Sequence, residues 1–352
     1  MKTKINELIS RSSDWFQKTG HKNDIVISSR LRIARNLSDL CFPHWCTEKK
    51  LRSIEETVID KITNSQKIKN IDVYDLNELD EDESKILMER NLISAEFLKD
   101  RGRILIISKD KPFSIILNEE DHIRMQVFSC GIELKRTWEL IDEMDDEISE
   151  LLPIAFHKRY GYLTSCPTNT GTGLRASIMI HLPSLVYTKK ISSALKAANQ
   201  FGLVVRGFHG EGTKALGNMY QISNQMCLGR SEQEIIENLC VVGKSLIEYE
   251  EKSREVIMKN SRYEIEDIIF RSLGTLKSCR IISTKESFEL LSNIRLGISL
   301  GLIKNISYIQ INELYFLIQN AHVKYGLEGN NDIERKIRRA DIIKKRLSAS
   351  TL

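Results

Sequence analysis

Four stretches of this chain mix charge and glycine where an apolar core needs neither. In the first, Ser28-Ser29-Arg30-Leu31-Arg32 followed by Ala34-Arg35-Asn36, side-chain alternation puts Arg30 and Arg32 on one face of an extended segment. Two guanidinium groups on one face repel unless an anion lies between them. The plainer alternative is a solvated edge strand with scattered arginines. The second stretch, Asn118-Glu119-Glu120-Asp121-His122-Ile123-Arg124, leaves the apolar run Phe113 to Leu117 directly. Three successive carboxylates need a cation to offset their repulsion, and a guanidinium or a metal-nucleotide would serve; an acidic turn is the competing reading.

The third, Cys166-Pro167-Thr168-Asn169-Thr170-Gly171-Thr172-Gly173-Leu174-Arg175, has the small residues that let backbone amides approach an anion. It lacks the Gly-Lys-Ser/Thr ending of a Walker loop, so a phosphate there would be met by Arg175 and backbone amides, unless the glycines only shape a turn. Cys166 is either chemically active or an inert thiol. The fourth, Arg206-Gly207-Phe208-His209-Gly210-Glu211-Gly212-Thr213, is a glycine-punctuated loop that would close over a ligand or lie mobile on the surface.

Behind these residues stand elements that must position them. Apolar spacing predicts a helix over Glu48 to Ser65 and another over Leu185 to Asn199. Strands are predicted over Arg103 to Ser108, Phe113 to Leu117, Met125 to Cys130 and Leu203 to Phe208. From about Ser231 onward the helical period dominates. Early strands and late helices give an α+β fold: residues 1–254 as one domain, and 255–352 as a smaller all-helical one.

Composition bounds the function. The 352 residues carry a net charge of +4, which gives little support to nucleic-acid binding, and the basic run Arg335 to Arg346 has no interleaved aromatics. Apolar runs are strand-sized and the N-terminus has no signal-like apolar core, so neither a membrane nor export is expected and the cytoplasm is the expected compartment. Seven cysteines without a CxxC pair argue against a disulfide framework and a structural metal, and no metal-binding residues are assigned.

In order along the chain, SxRxR, NEEDHxR, CPTNxGTGxR and RGxxGE resemble the motifs of the ATP:guanidino phosphotransferases, the family of creatine and arginine kinases. The resemblance implies an antiparallel sheet flanked by helices, with ATP and Mg2+ as cofactors. It implies nucleotide binding by Ser28, Ser29, Arg30, Leu31 and Arg32, by Arg124, by Arg175, Ala176, Ser177, Ile178 and Met179, and by Arg206, Gly207, Phe208, His209 and Gly210. Glu119 would reach magnesium through water. Glu120 and Glu211 would hold the guanidino group and draw off its proton, with Cys166 beside them.

Only 27 residues precede Ser28, where small-molecule members of the family carry a helical domain; the helical stretches Glu289 to Leu302, Ile311 to Ala321 and Ile333 to Leu347 come instead after the catalytic motifs. That arrangement resembles the bacterial branch that phosphorylates arginine in proteins. It implies protein substrates with exposed arginine, a homodimer, a zinc-containing activator and an AAA+ protease that takes the marked proteins. It also implies a phosphoarginine site at Arg335 and Arg339. Two positions depart from that branch: Asn91 stands where a histidine near the adenine is usual, and Lys336 replaces the acid of an RDxxRA motif. A free-arginine kinase and a non-catalytic phosphoarginine-binding adaptor are the alternatives.

Overall fold

The computed structural model describes residues 19–94, 104–207, 215–327 and 331–348. Its centre is an antiparallel sheet of eight strands: β1 (Val26–Arg35), β2 (Ile71–Asp75), β3 (Ile104–Ser108), β4 (Phe113–Leu117), β5 (Ile123–Cys130), β8 (Leu174–His181), β9 (Leu203–Gly207) and β10 (Met219–Asn224). They lie in the order β2-β3-β4-β5-β1-β8-β10-β9, and a two-residue pair, β6 (Phe156–His157) and β7 (Gly161–Tyr162), stands apart. The first arginine motif is thus no edge strand. β1 is paired on both sides, to β5 and β8, through its whole charged stretch.

Alternation gives the sheet two unlike faces. Leu31, Ile33, Met125, Val127, Ala176 and Ile178 face one way and are buried. They pack in the main core with Ile141 and Ile148 of α3 (Leu134–Leu151) and Leu239 and Leu246 of α6 (Glu232–Asn260). The opposite face is apolar only at its ends. At one end Tyr74, Leu105 and Ile116 pack with Leu87 of α2 (Glu81–Glu89). At the other, Ile27 and Met219 join the core of the helical region, built from α7 (Arg262–Ser278), α8 (Thr284–Ser299), α9 (Tyr308–Leu317) and α11 (Asp332–Ser348). Between these two apolar caps lies a polar trough.

Most expected elements are present, with α1 (Glu48–Thr63) close to its predicted span. The helix expected over Leu185 to Asn199 is two, α4 (Pro183–Tyr187) and α5 (Ile191–Gln200). Lys189 between them takes a left-handed conformation (φ 58°), and the Lys190 amide turns back to the Leu185 carbonyl at 2.9 Å. Apolar spacing cannot register such a break, because the two short helices keep almost the same face inward. The late helix expected over Ile311 to Ala321 is likewise split, into α9 and α10 (Asn320–Lys324).

Candidate active site

Strand register assembles the trough. Arg32 lies opposite Arg175 on one side and Gln126 on the other, Arg30 lies between Ser177 and Phe128, and Ala34 is opposite Arg124. Arg206 follows two strands further on, opposite Gln221. Arg32, Arg124, Arg175 and Arg206 line one open cleft of about 1300 Å³ together with Glu120 and Cys166. Three sequence-distant motifs and the start of the fourth therefore meet.

The electrostatics of this cleft are lopsided. Burial, then the charges of Arg124 and Arg175, push Arg30 down to about 9, with only Glu119 opposing. Arg32 is held well below its ordinary range by burial and by Arg30, Arg124 and Arg175. A guanidinium does not give up its proton in a protein, so this strain is a standing demand for an anion. Hydrogen-bond accounting agrees: among the described residues, Nε of Arg30 and Arg32, and Nε and Nη2 of Arg124, are buried without a partner. Buried donors are normally satisfied, and groups left open at a cleft mark where a ligand supplies the acceptors.

The acidic motif divides its labour. Asn118 opens the β4–β5 turn at φ 54°, and its amide donates to the Leu51 carbonyl (3.0 Å) and Glu55 (3.1 Å). Asp121 accepts from Asn36 at 2.6 Å and from the Ser165 amide at 2.7 Å, which fastens the turn to the Cys166 loop. His122 is fully buried; Nδ1 accepts from the Leu37 amide (3.1 Å), so Nε2 donates to the Cys41 carbonyl (3.0 Å). Burial lowers this histidine to about 4. Only two of the three carboxylates remain for chemistry. Glu119 is buried against Arg124 and Ser94, while Glu120 is exposed in the cleft.

The glycine loop serves a different purpose from the one its composition suggests. The amides of Asn169, Gly171 and Gly173 are spent on the carbonyls of Cys166, Tyr162 and Asn169. Gly173 has φ 67°, and a Cβ there would lie 2.6 Å from the Ala34 carbonyl oxygen; Gly171, at φ 119°, would meet the Cys227 carbonyl at 2.7 Å. Gly173 lets the loop pass close to β1, and Gly171 lets it pack on the segment after β10, so these amides shape no phosphate cradle. Cys166 is thereby set half-buried on the cleft wall, its Sγ 3.0 Å from Thr168 Oγ1.

Beside Arg30 the trough continues into a narrow hollow, open to solvent, lined by Ser28, Ser177, Met179, Asn91, Phe128 and Gln221. Sequence reading missed Gln126, whose carbonyl oxygen accepts from Arg30 at 2.5 Å. Its amide holds the carbonyls of Asn91 (3.2 Å) and Leu92 (3.1 Å). Its position midway between Arg124 and Phe128 was the available signal, since all three share a face. Asn91 stands at φ 59°, a conformation asparagine tolerates.

Some expected residues are placed elsewhere. Leu31, Ala176 and Ile178 turn their side chains into the core, and Ser29 donates to the Gly131 carbonyl on that side, so none reaches the trough except through backbone. Gly207 ends β9, while Phe208, His209, Gly210 and Glu211 lie outside the described residues. Arg339 is 2% exposed, and its Nε, Nη1 and Nη2 donate to Ile318 O (2.7 Å), Ile282 O (3.0 Å) and Asn320 Oδ1 (2.9 Å). It is a core staple, with each of its three nitrogens already donating to protein. Arg335 is more exposed and donates to Asp332 at 3.2 Å, which Lys336 also approaches, at 2.6 Å.

An antiparallel sheet carrying guanidinium groups around one trough, with an exposed carboxylate and a thiol on its rim, fits a phosphotransferase that handles guanidino groups. The chain belongs to the ATP:guanido phosphotransferase family: residues 53–253 match its C-terminal catalytic domain. Residues 262–351 match the C-terminal domain of the protein-arginine kinase McsB. The chain is 43% identical over 342 residues to the protein-arginine kinase of Clostridium novyi (strain NT), covering 96% of this chain and 99% of that one. It is 43% identical over 339 residues to the protein-arginine kinase of Bacillus subtilis (strain 168), covering 95% and 93%. Among solved structures, a lombricine kinase aligns with a TM-score of 0.59 at 27% identity, over 70% of this chain and 75% of that chain.

Proposed function

We propose that this chain is an ATP-dependent protein-arginine kinase, with Arg30, Arg32, Arg124, Arg175 and Arg206 as its phosphate clamp. The observation that carries the reading is the pair Arg32 and Arg124, whose buried guanidinium N–H groups lack acceptors where they line a cleft that also holds Glu120 and Cys166. Guanidinium forks grip phosphate oxygens bidentately and spread the charge of a phosphoryl group in flight. Arg30, at the junction with the neighbouring hollow, orients the nucleotide so that its base lies over Ser177 and Met179. Glu120, joined by Glu211, aligns the arginine guanidinium and accepts its proton as the N–P bond forms and the bond to the ADP oxygen breaks. Cys166 adds a polarisable group on the same side.

Magnesium fits this site only as a companion of the phosphates. Among the described residues no three His, Cys, Asp or Glu side chains converge, and Glu119 is the carboxylate set among the arginines. Glu119 would hold a water of the ion's shell, and the bound ion would neutralise phosphate charge.

The open cleft suits an arginine presented by a protein chain better than one that must be enclosed. We divide the chain into a catalytic domain, residues 1–254, and a helical domain, 255–352. Dimerisation, a zinc-containing activator, delivery to an AAA+ protease and a cytoplasmic setting complete the reading; no described helix is long and apolar enough to cross a membrane. Incubation with ATP and either an unfolded protein or free arginine tests it, with mass spectrometry that preserves the acid-labile N–P bond. Phosphoarginine on the protein is expected; label on free arginine alone would overturn the protein-substrate assignment.

A further inference from the structure

The hollow beside Arg30 is not closed by the sheet. Its remaining wall comes from the helical region, through Asn312, Tyr315 and Phe316 of α9. Tyr315 is 2% exposed, and among the described residues its buried hydroxyl has no hydrogen-bond partner. Asn312 is oriented by Arg295, whose Nη1 donates to its carbonyl oxygen at 2.8 Å while Nη2 reaches back to the Asn23 carbonyl at 2.5 Å. A second clasp lies close by. Glu89 accepts from the amides of Ala321 (2.7 Å) and His322 (3.0 Å) at the start of α10. His322 Nδ1 donates to the same carboxylate at 2.7 Å, and its Nε2 accepts from Arg90 Nε at 3.2 Å. Asn91, the next residue, presents its carbonyl to Arg30 and Gln126.

We infer that α9 completes a binding site for the planar base of a nucleotide, so that nucleotide binding and the docking of the helical region onto the sheet stabilise each other. This rests on the kinase reading above. The hollow is chemically suited: Phe128, Met179 and Phe316 offer flat or polarisable surface to a ring, and the amides of Asn91, Gln221 and Asn312 offer donors and acceptors to its edge. A base held there touches both regions at once. By linkage, whatever binds only the docked arrangement favours it.

The test compares Mg2+·ATP with Mg2+·tripolyphosphate, which keeps the charge and lacks the base, on the full chain. Phe316→Ala is expected to lose about tenfold or more in ATP affinity, the scale of one lost aromatic contact, with tripolyphosphate affinity unchanged. In the wild type, ATP but not tripolyphosphate is expected to slow amide exchange across residues 308–324. Equal losses for both ligands, or no loss for either, overturn the inference. Phe316→Leu carries the same comparison if the alanine variant does not fold. A wild type that binds neither ligand overturns the kinase reading, and this inference with it.

Discussion

Two sets of arginines in this molecule differ in how their donors are met. Arg35 is 1% exposed, yet it donates to Asp145 at 2.9 and 2.5 Å and to the carbonyls of Ala34 (2.8 Å) and Thr172 (2.9 Å), with its guanidinium 3.4 Å from the Tyr162 ring centre. Arg339 is satisfied in the same manner by two carbonyls and an amide. Arg30, Arg32 and Arg124 are crowded by one another and keep orphaned donors. Residue type is the same, but Arg30, Arg32 and Arg124 are half-buried at a cleft and their partners differ. A satisfied buried arginine reports on folding, and an unsatisfied cluster reports on a ligand.

The comparison can be broken most decisively at the carboxylate that serves the cluster. Glu120→Gln keeps the shape but cannot accept a proton, and turnover is expected to fall by roughly 10²–10⁴ while ATP affinity holds. Single-turnover rates within tenfold of wild type would remove Glu120 from its role. Next come the arginines themselves. Arg32→Met is expected to lower turnover by about a hundredfold or more, as for other electrostatic clamps, with the ligand-free protein melting no lower than wild type because a repelled charge is gone. Arg35→Met is expected to destabilise by about 3–5 kcal/mol, since Asp145 would be left buried and uncompensated. Urea melts of the two variants decide, and similar losses of stability would erase the distinction.

Acid sharpens it further. His122 is lowered to about 4 by burial, so the unfolded chain takes up its proton first. Its contribution to stability is full above about pH 6.5 and is lost as pH falls from there through about 4, amounting to about 3 kcal/mol. His122→Gln should flatten that part of the stability profile; an unchanged profile would show that the buried ring titrates normally. The smallest effect is expected in the basic C-terminal helix. Arg335→Ala, which removes a surface ion pair with Asp332, should change stability by about 1 kcal/mol or less, whereas Arg339→Ala should cost several-fold more. Equal costs would mean that both arginines are surface residues or both are staples.

The sequence by itself determined the chemistry and the approximate elements. Four motifs fix residue types, and period-two alternation along Ser28 to Arg32 already places Arg30 and Arg32 on one face. The strand Phe113–Leu117 is legible as a short apolar run bounded by charged and turn-forming residues, and the helices after Ser231 by their repeated apolar period. What tertiary structure alone decided is which face meets which neighbour. Whether β1 lies at an edge or in the centre depends on β5 and β8, far away in sequence, and the pairing is what buries its arginines. The purpose of Gly171 and Gly173 became visible only when the backbone they approach, at Cys227 and Ala34, was in place. Arg335 and Arg339 sit four residues apart on one helix, yet one is half-exposed and the other is locked in the core. A helix sequence fixes the angle between two side chains, and only the packing against α10 and the turn at Ile282 decides which of them is covered.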